Sequence, residues 1–206
     1  MNKHSIDRRI FPVILAVPAK EQSLPPRERV RALSRQAREA LHICSRKIGI
    51  TMGVLEKDAN GAPLPFDGLY WSLTHKPAYV GAVICPQATG IDIEAVKEVS
   101  EGVMRKTAGE EEWRLSDEDP ATLFFRYWTA KEAVLKAAGV GISGLSKCRV
   151  KAVPNESHLQ LDYRGVSYLV EHFFFDRASR AFSWHGCKST SFLASVPRSP
   201  CGGTRR

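Results

Sequence analysis

Cysteine is scarce and scattered. Five occur in 206 residues, at Cys44, Cys85, Cys148, Cys187 and Cys201, and no two form a CxxC pair. An odd count at these spacings fits no closed disulfide framework and argues against a structural zinc site. Reduced thiols and a cytoplasmic setting are therefore expected. No apolar run approaches the ~20 residues that a membrane helix needs, so the chain is read as neither spanning nor entering a bilayer. The stretch RRIFPVILAVPA has the faint outline of a signal peptide. Its apolar run is short and interrupted by Pro12, which favours a first β-strand over Phe11 to Val17. Acids are outnumbered: 22 Asp and Glu face 30 Lys and Arg, a net charge of +8. Between Lys20 and Lys47 the imbalance is eight bases to three acids, and Arg198, Arg205 and Arg206 add a basic tail. Such a surface favours polyanions or an acidic partner. No recognised nucleic-acid motif accompanies it, so a DNA- or RNA-binding module is the weaker reading.

What is present is an ordinary globular composition, 43% hydrophobic and 25% charged. The length suits one domain, or two small subdomains sharing a core. After the first strand and a polar link, Arg29 to Ile48 reads as a helix. Val30, Leu33, Ala37, Leu41 and Cys44 fall at helical spacing, and Gly49 ends the run. A turn-rich connection follows, with Asn60-Gly61 as its tight turn. YWSLTH and AYVGAVIC read as a hairpin joined by Lys76-Pro77, and GIDIEAV reads as another strand. The polar region Ser100 to Asp119 and the stretch Leu123 to Ala138 read as helical. KCRVKAV, HLQLDY, VSYLVEHFF and TSFLASV read as antiparallel strands. The tail 197–206, rich in Pro, Gly and Arg, is expected to be disordered. There is no sequence repeat. Helices and antiparallel strands in this order give an α+β fold, not an alternating βαβ one.

Two stretches carry candidate chemistry. In GIDIE, Asp92 and Glu94 lie two apart on a strand and so share a face, with Ile91 and Ile93 on the other. Paired carboxylates suit Mg²⁺, though a solvated acidic face is the plain alternative. In YWTAKEAVLKAAG, Trp128, Glu132 and Lys136 recur at i, i+4 and i+8 along one stripe. Ala130, Ala133, Val134 and Ala137 form a second stripe of small residues that can pack closely. By spacing alone, Glu132 and Lys136 read as a surface ion pair worth a few tenths of a kcal/mol. Thr74, His75 and Lys76 end a strand and could meet a phosphate. Arg31 and Arg35, one helical turn apart, could grip the same anion or form a solvated basic face.

Taken together, the ordered pieces WSLTH, GIDIE, GEEEW and WTAKEAVLKAAG resemble the phosphopantetheinyl transferase superfamily, in its larger single-chain (Sfp-type) form. The family pattern is roughly (I/V)G(I/V)D followed by W-(S/T/C)-x-K-E-(A/S)-x-x-K, and the likeness runs from about Tyr70 to Gly144. The resemblance implies two similar subdomains related by a pseudo-two-fold, each a small antiparallel sheet with a helix. The N-terminal one, 1–87, would carry the coenzyme A 3′-phosphate and adenine side; the C-terminal one, 88–196, would carry the metal and catalytic motifs. It implies a Mg²⁺-dependent, monomeric enzyme. Such an enzyme moves the 4′-phosphopantetheine arm of coenzyme A onto a serine of an acyl or peptidyl carrier protein and releases adenosine 3′,5′-bisphosphate. Fatty-acid, polyketide and nonribosomal peptide synthesis all use such carriers. Asp92, Glu94 and Glu132 would hold Mg²⁺. Glu132 would take the proton of the carrier serine, directly or through a water on the metal. Lys136 would stabilise or protonate the leaving phosphate, and Lys131 would sit near the phosphates. Thr74, His75 and Arg31 would bind the nucleotide end, with His75 near the 3′-phosphate. Trp128 would support the helix against the other half.

The chain departs from that pattern in places. Thr74 stands where relatives have serine, and Ala62 where many have lysine. Thr107-Ala108 replaces an aromatic pair, so that Glu112, Glu111 or Glu110 could align with the family's acidic residue there. The link before the arginine helix is short. These departures keep a second expectation alongside the first: a non-catalytic relative that binds coenzyme A or a carrier protein.

Overall fold

A computed structural model describes residues 11–175 and the strand at 180–185. In its first half, β1 (Val13–Ala16), β2 (Tyr70–His75) and β3 (Tyr79–Cys85) form an antiparallel sheet in the order β1-β3-β2. A short helix, α1 (Ala19–Gln22), leads into α2 (Pro26–Lys47), which lies on this sheet. Proline opens α2 where its missing N–H costs nothing, Glu28 lies in the first turn, and Arg46 and Lys47 lie in the last, each complementing the helix dipole. Ala37, Ala40, Leu41 and Cys44 are buried against Val13, Trp71, Ala82 and Ile84 or their neighbours. Val30, expected on that face, is 54% exposed: contact with the sheet begins one turn later, at Ala32 and Leu33. The β2–β3 hairpin pairs His75 with Val80, and the Lys76 N–H donates to the Tyr79 carbonyl at 2.8 Å across the turn. The tight turn at Asn60-Gly61 is held by Asp58, whose carboxylate accepts from the N–H groups of Asn60 and Ala62, with Gly61 at φ 81°.

The second half begins with β4 (Gly90–Ala95), runs through α3 (Glu101–Thr107), α4 (Glu110–Trp113) and α5 (Pro120–Ala137), and passes a 3₁₀ turn at Ile142–Lys147. It then forms β5 (Cys148–Asn155), β6 (His158–Tyr163), β7 (Val166–Phe175) and β8 (Arg180–His185). The antiparallel sheet runs β4-β8-β7-β6-β5. The sequence reading did not anticipate β8; it put the last strand at TSFLASV, which lies outside the described residues. RAFSWH lacks a run of branched apolar residues, so its pairing with β4 and β7 has no strong local signal.

Asp119 caps α5 by accepting from the Thr122 N–H at 2.9 Å, and Pro120 follows at the first helical position. Leu123, Tyr127, Ala130, Val134 and Leu135 then pack on Val150, Leu159, Leu161 and Val170. The small residues of α5 let it approach β4 very closely. A Cβ built on Gly90 would lie 1.9 Å from the Ala133 carbonyl oxygen, so only glycine fits where the strand starts across the helix.

The two halves meet where β4 lies against β2 and β3. A Cβ at Gly81 would lie 2.8 Å from Ile93 Cδ1, so the hydrogen side chain of that glycine admits the isoleucine. This packing brings the polar face of β4 to the end of β2. No helix among the described residues is long and apolar enough to cross a membrane.

Candidate active site

The site begins with the alternation of β4. Ile91 and Ile93 are buried in a cluster with Val83 and Cys85. Asp92 and Glu94 take the opposite face, but Asp92 is 2% exposed and is no solvated surface acid. Its Oδ1 accepts from the Thr74 hydroxyl at 2.9 Å and from Lys136 Nζ at 2.8 Å. Lys136 also donates to the Ile91 carbonyl at 2.9 Å. Thr74 therefore positions Asp92 in the folded chain, and α5 and β4 are tied together by one ammonium group. Glu132, one turn before Lys136, has its carboxylate 4.0 Å from that ammonium. Burial pushes the Glu132 carboxyl above its ordinary range, and the charges of Asp92 and Glu94 add to this against Lys136 and Lys76.

Glu94 is held from two sides. Lys76 Nζ, from the β2–β3 turn, lies 2.5 Å from Glu94 Oε1, and the Trp128 indole N–H donates to the same oxygen at 3.2 Å. Trp128 thus serves Glu94 and stacks on Phe124, both in the second half. Burial alone would lower the Lys76 pKa, but Asp92, Glu94 and Glu132 outweigh it and hold the ammonium above its usual range. The sequence reading placed Lys76 in a loose Thr-His-Lys group and missed its partner, because that contact exists only once β2 packs on β4.

The Asp92 Oδ2 atom is buried and has no hydrogen-bond partner among the described residues. Leaving a buried carboxylate oxygen unsatisfied costs about 1–3 kcal/mol, so it fits a donor or cation that the described residues do not supply. Among the described residues, the acidic side chains as they stand do not close into a ready set of three metal ligands. Lysine ammonium groups hold them instead. The donor chemistry (an orphaned oxygen on Asp92, with Glu94 and Glu132 beside it) nonetheless fits a hard divalent cation.

His75 ends β2, exposed on one side. Partial burial, with the charges of Lys136, Lys76 and Lys57, holds its imidazole below the ordinary histidine range. A cleft of about 800 Å³ between the halves is lined by Lys57, Asn60 and Ser72 from the first half and by Lys136, Lys147 and Arg164 from the second. These cations face no acidic lining residue, which suits an anionic ligand. Ala62 lines the same cleft, within 4.0 Å of where a Cβ on Gly139 would stand.

The matches to known proteins fall on these elements. Residues 88–189, from just before β4 to beyond β8, match the model of the 4′-phosphopantetheinyl transferase superfamily. The chain belongs to that superfamily. It is 32% identical over 123 residues to 4′-phosphopantetheinyl transferase HetI of Nostoc sp., a match covering 53% of this chain and 52% of the relative. It is 30% identical over 100 residues to 4′-phosphopantetheinyl transferase psf-1 of Bacillus pumilus, covering 45% of this chain and 43% of the relative. The chain thus spans about half the length of the curated relatives it matches.

Two residues expected at the phosphopantetheinyl transferase site lie elsewhere. Lys131 is 1% exposed and turned to the other side of α5. Its Nζ lies 2.6 Å from Glu112 Oε1 and donates to the Thr107 carbonyl at 2.7 Å. Successive helical residues are rotated by about 100°, so Lys131 and Glu132 cannot serve one face. Glu112 also accepts from the N–H groups of Gly109 and Val150, and these donors hold its carboxyl below the ordinary range despite burial. Glu112 is therefore a structural hub joining α4, α5 and β5, while Glu110 and Glu111 are exposed beside it. Arg31 stands exposed on α2, in a shallow groove with Val30, Ser34, Arg35, Arg38 and His42. That groove shares no lining residue with the cleft.

Proposed function

We propose that this protein transfers the 4′-phosphopantetheine arm of coenzyme A to a serine hydroxyl of an acyl or peptidyl carrier protein. The observation that carries this reading is Lys136, which bonds Asp92 Oδ1 and lies 4.0 Å from Glu132, beside a buried Asp92 Oδ2 that has no hydrogen-bond partner among the described residues. In this reading Asp92, Glu94 and Glu132 hold Mg²⁺, which when bound neutralises charge on the pyrophosphate. Glu132, with its raised pKa, accepts the serine proton. The serine oxygen forms a bond to the β-phosphorus of coenzyme A as the bond to the bridging oxygen breaks, and adenosine 3′,5′-bisphosphate leaves with that oxygen. Lys136 faces the leaving phosphate as a cation, a term that acts by charge and position. Thr74 acts through Asp92 as a positioning residue, and His75, acted on by the charges of Lys136, Lys76 and Lys57, binds the nucleotide end. Lys131 and Arg31 are assigned no step.

The same reading takes 1–87 and 88–196 as two subdomains related by a pseudo-two-fold. Support comes from α2 on its three-stranded sheet and α5 on its five-stranded one. We take the enzyme to be a cytoplasmic monomer.

The test is intact-protein mass spectrometry with Mg²⁺, coenzyme A and a panel of apo carrier proteins. A carrier that gains one phosphopantetheine mass, lost with Glu132→Ala and with a chelator, supports the reading. Coenzyme A binding with no transfer to any carrier would favour the non-catalytic relative, for which Ala62 in place of lysine is the specific observation.

A further inference from the structure

The three acids of the site are held by lysines from different elements. Lys136 comes from α5, and Lys76 reaches in from the β2–β3 turn in the other half of the chain. The Lys76 backbone is fixed by its N–H bond to Tyr79, so the side chain leaves the turn in a set direction. Its side chain is 35% exposed and its ammonium meets Glu94 at 2.5 Å, on the oxygen that Trp128 also contacts. Asp92, Glu94 and Glu132 all act on its charge. Lys76 thus stands where the attraction of three carboxylates converges.

We propose that Lys76 is the built-in counter-ion of the metal-free site and competes with a divalent cation for Glu94. This rests on the metal reading given above. A dication between Asp92, Glu94 and Glu132 would face the Lys76 ammonium at close range, and like charges repel inversely with distance. Binding therefore requires Lys76 to release Glu94 Oε1. Once released, Lys76, next to His75 in the chain, is free to donate to a phosphate of the nucleotide ligand. A phosphate that occupies Lys76 in turn makes Glu94 more available, so metal and phosphate ligand strengthen each other's binding by the same factor.

The experiment is calorimetric titration of the full chain with Mn²⁺, with and without adenosine 3′,5′-bisphosphate, for wild type, Lys76→Met and Lys76→Arg. Without nucleotide, Lys76→Met should bind Mn²⁺ about tenfold tighter than wild type, within the usual range of site coupling. Lys76→Arg should stay near wild type because the charge remains. Nucleotide should tighten Mn²⁺ binding to wild type more than to Lys76→Met. Thermal melts give a second readout: metal-free Lys76→Met should melt below wild type and gain more on adding Mn²⁺. Equal or weaker Mn²⁺ binding by Lys76→Met, or the same gain in Lys76→Arg, would overturn the inference and leave the metal reading standing. No Mn²⁺ binding by wild type would overturn both.

Discussion

Lys136 Nζ lies 2.8 Å from Asp92 Oδ1 and 2.9 Å from the Ile91 carbonyl, so a single ammonium on α5 grips both the side chain and the backbone of β4. The cation that the proposed chemistry needs is also a structural clamp. Lys136→Met should remove transfer and also lower stability by about 1–3 kcal/mol, because a buried carboxylate loses its charged donor. Urea midpoints and carrier mass shifts measured on the same samples check both effects. Full stability in Lys136→Met would mean that Thr74 alone satisfies Asp92.

Asp92→Asn keeps the shape of the side chain and its Thr74 contact but removes the charge. With Glu132→Ala, it should lower transfer by at least about 10²-fold, the scale seen when one electrostatic stabiliser is lost. Circular dichroism should show the fold retained. Transfer at wild-type rate by Glu132→Ala would remove its assignment as base and metal ligand.

The charges that act on His75 are those of Lys136, Lys76 and Lys57, a setting that suits a phosphate. His75→Ala should therefore chiefly raise the KM for coenzyme A and change kcat much less. Steady-state kinetics with a saturating carrier protein separates the two. An equal loss in kcat would place His75 at the reacting phosphate instead.

Gly90 begins the GIDIE strand, and its role is steric. Gly90→Ala puts a methyl group 1.9 Å from the Ala133 carbonyl oxygen, a backbone atom that cannot swing aside. The expected cost is about 3 kcal/mol, the upper end of ordinary overpacking, with lost transfer because Asp92 shifts along with the strand. Chemical denaturation and the carrier assay read the two effects. A stability within about 0.5 kcal/mol of wild type would mean that β4 and α5 can separate without harm.

Local periodicity carried most of the elements, though not β8, and half of the candidate site. The i, i+2 pair Asp92 and Glu94 and the i, i+4, i+8 row Trp128, Glu132 and Lys136 do share faces, because those spacings follow from strand and helix geometry. Packing between elements carried the rest. The contacts of Thr74 with Asp92 and of Lys76 with Glu94 each span 18 residues and have no periodic signature. Lys131 is next to Glu132 in the motif, and the family resemblance implied a place for it near the phosphates. Helical rotation sends Lys131 into the core, where only the position of Glu112 explains it. Val30 fits the apolar spacing of α2, but spacing does not say where the sheet begins.

The Glu112–Lys131 pair gives a pH prediction of definite sign. Three groups of donors hold the folded-state Glu112 carboxyl below its unfolded value. Its contribution is therefore complete above the ordinary carboxylate range and is lost as pH falls through the lowered folded value. Glu112→Gln should flatten that part of the acid limb, so the stability gap between wild type and variant narrows as pH drops below about 4. At neutral pH the variant should be less stable by about 3–5 kcal/mol, since Lys131 is left buried without its counter-charge. Denaturant midpoints taken at intervals from pH 3 to pH 7 test this. A constant gap between the two proteins across that range would mean that Glu112 does not titrate differently on folding, and that its contribution is packing alone.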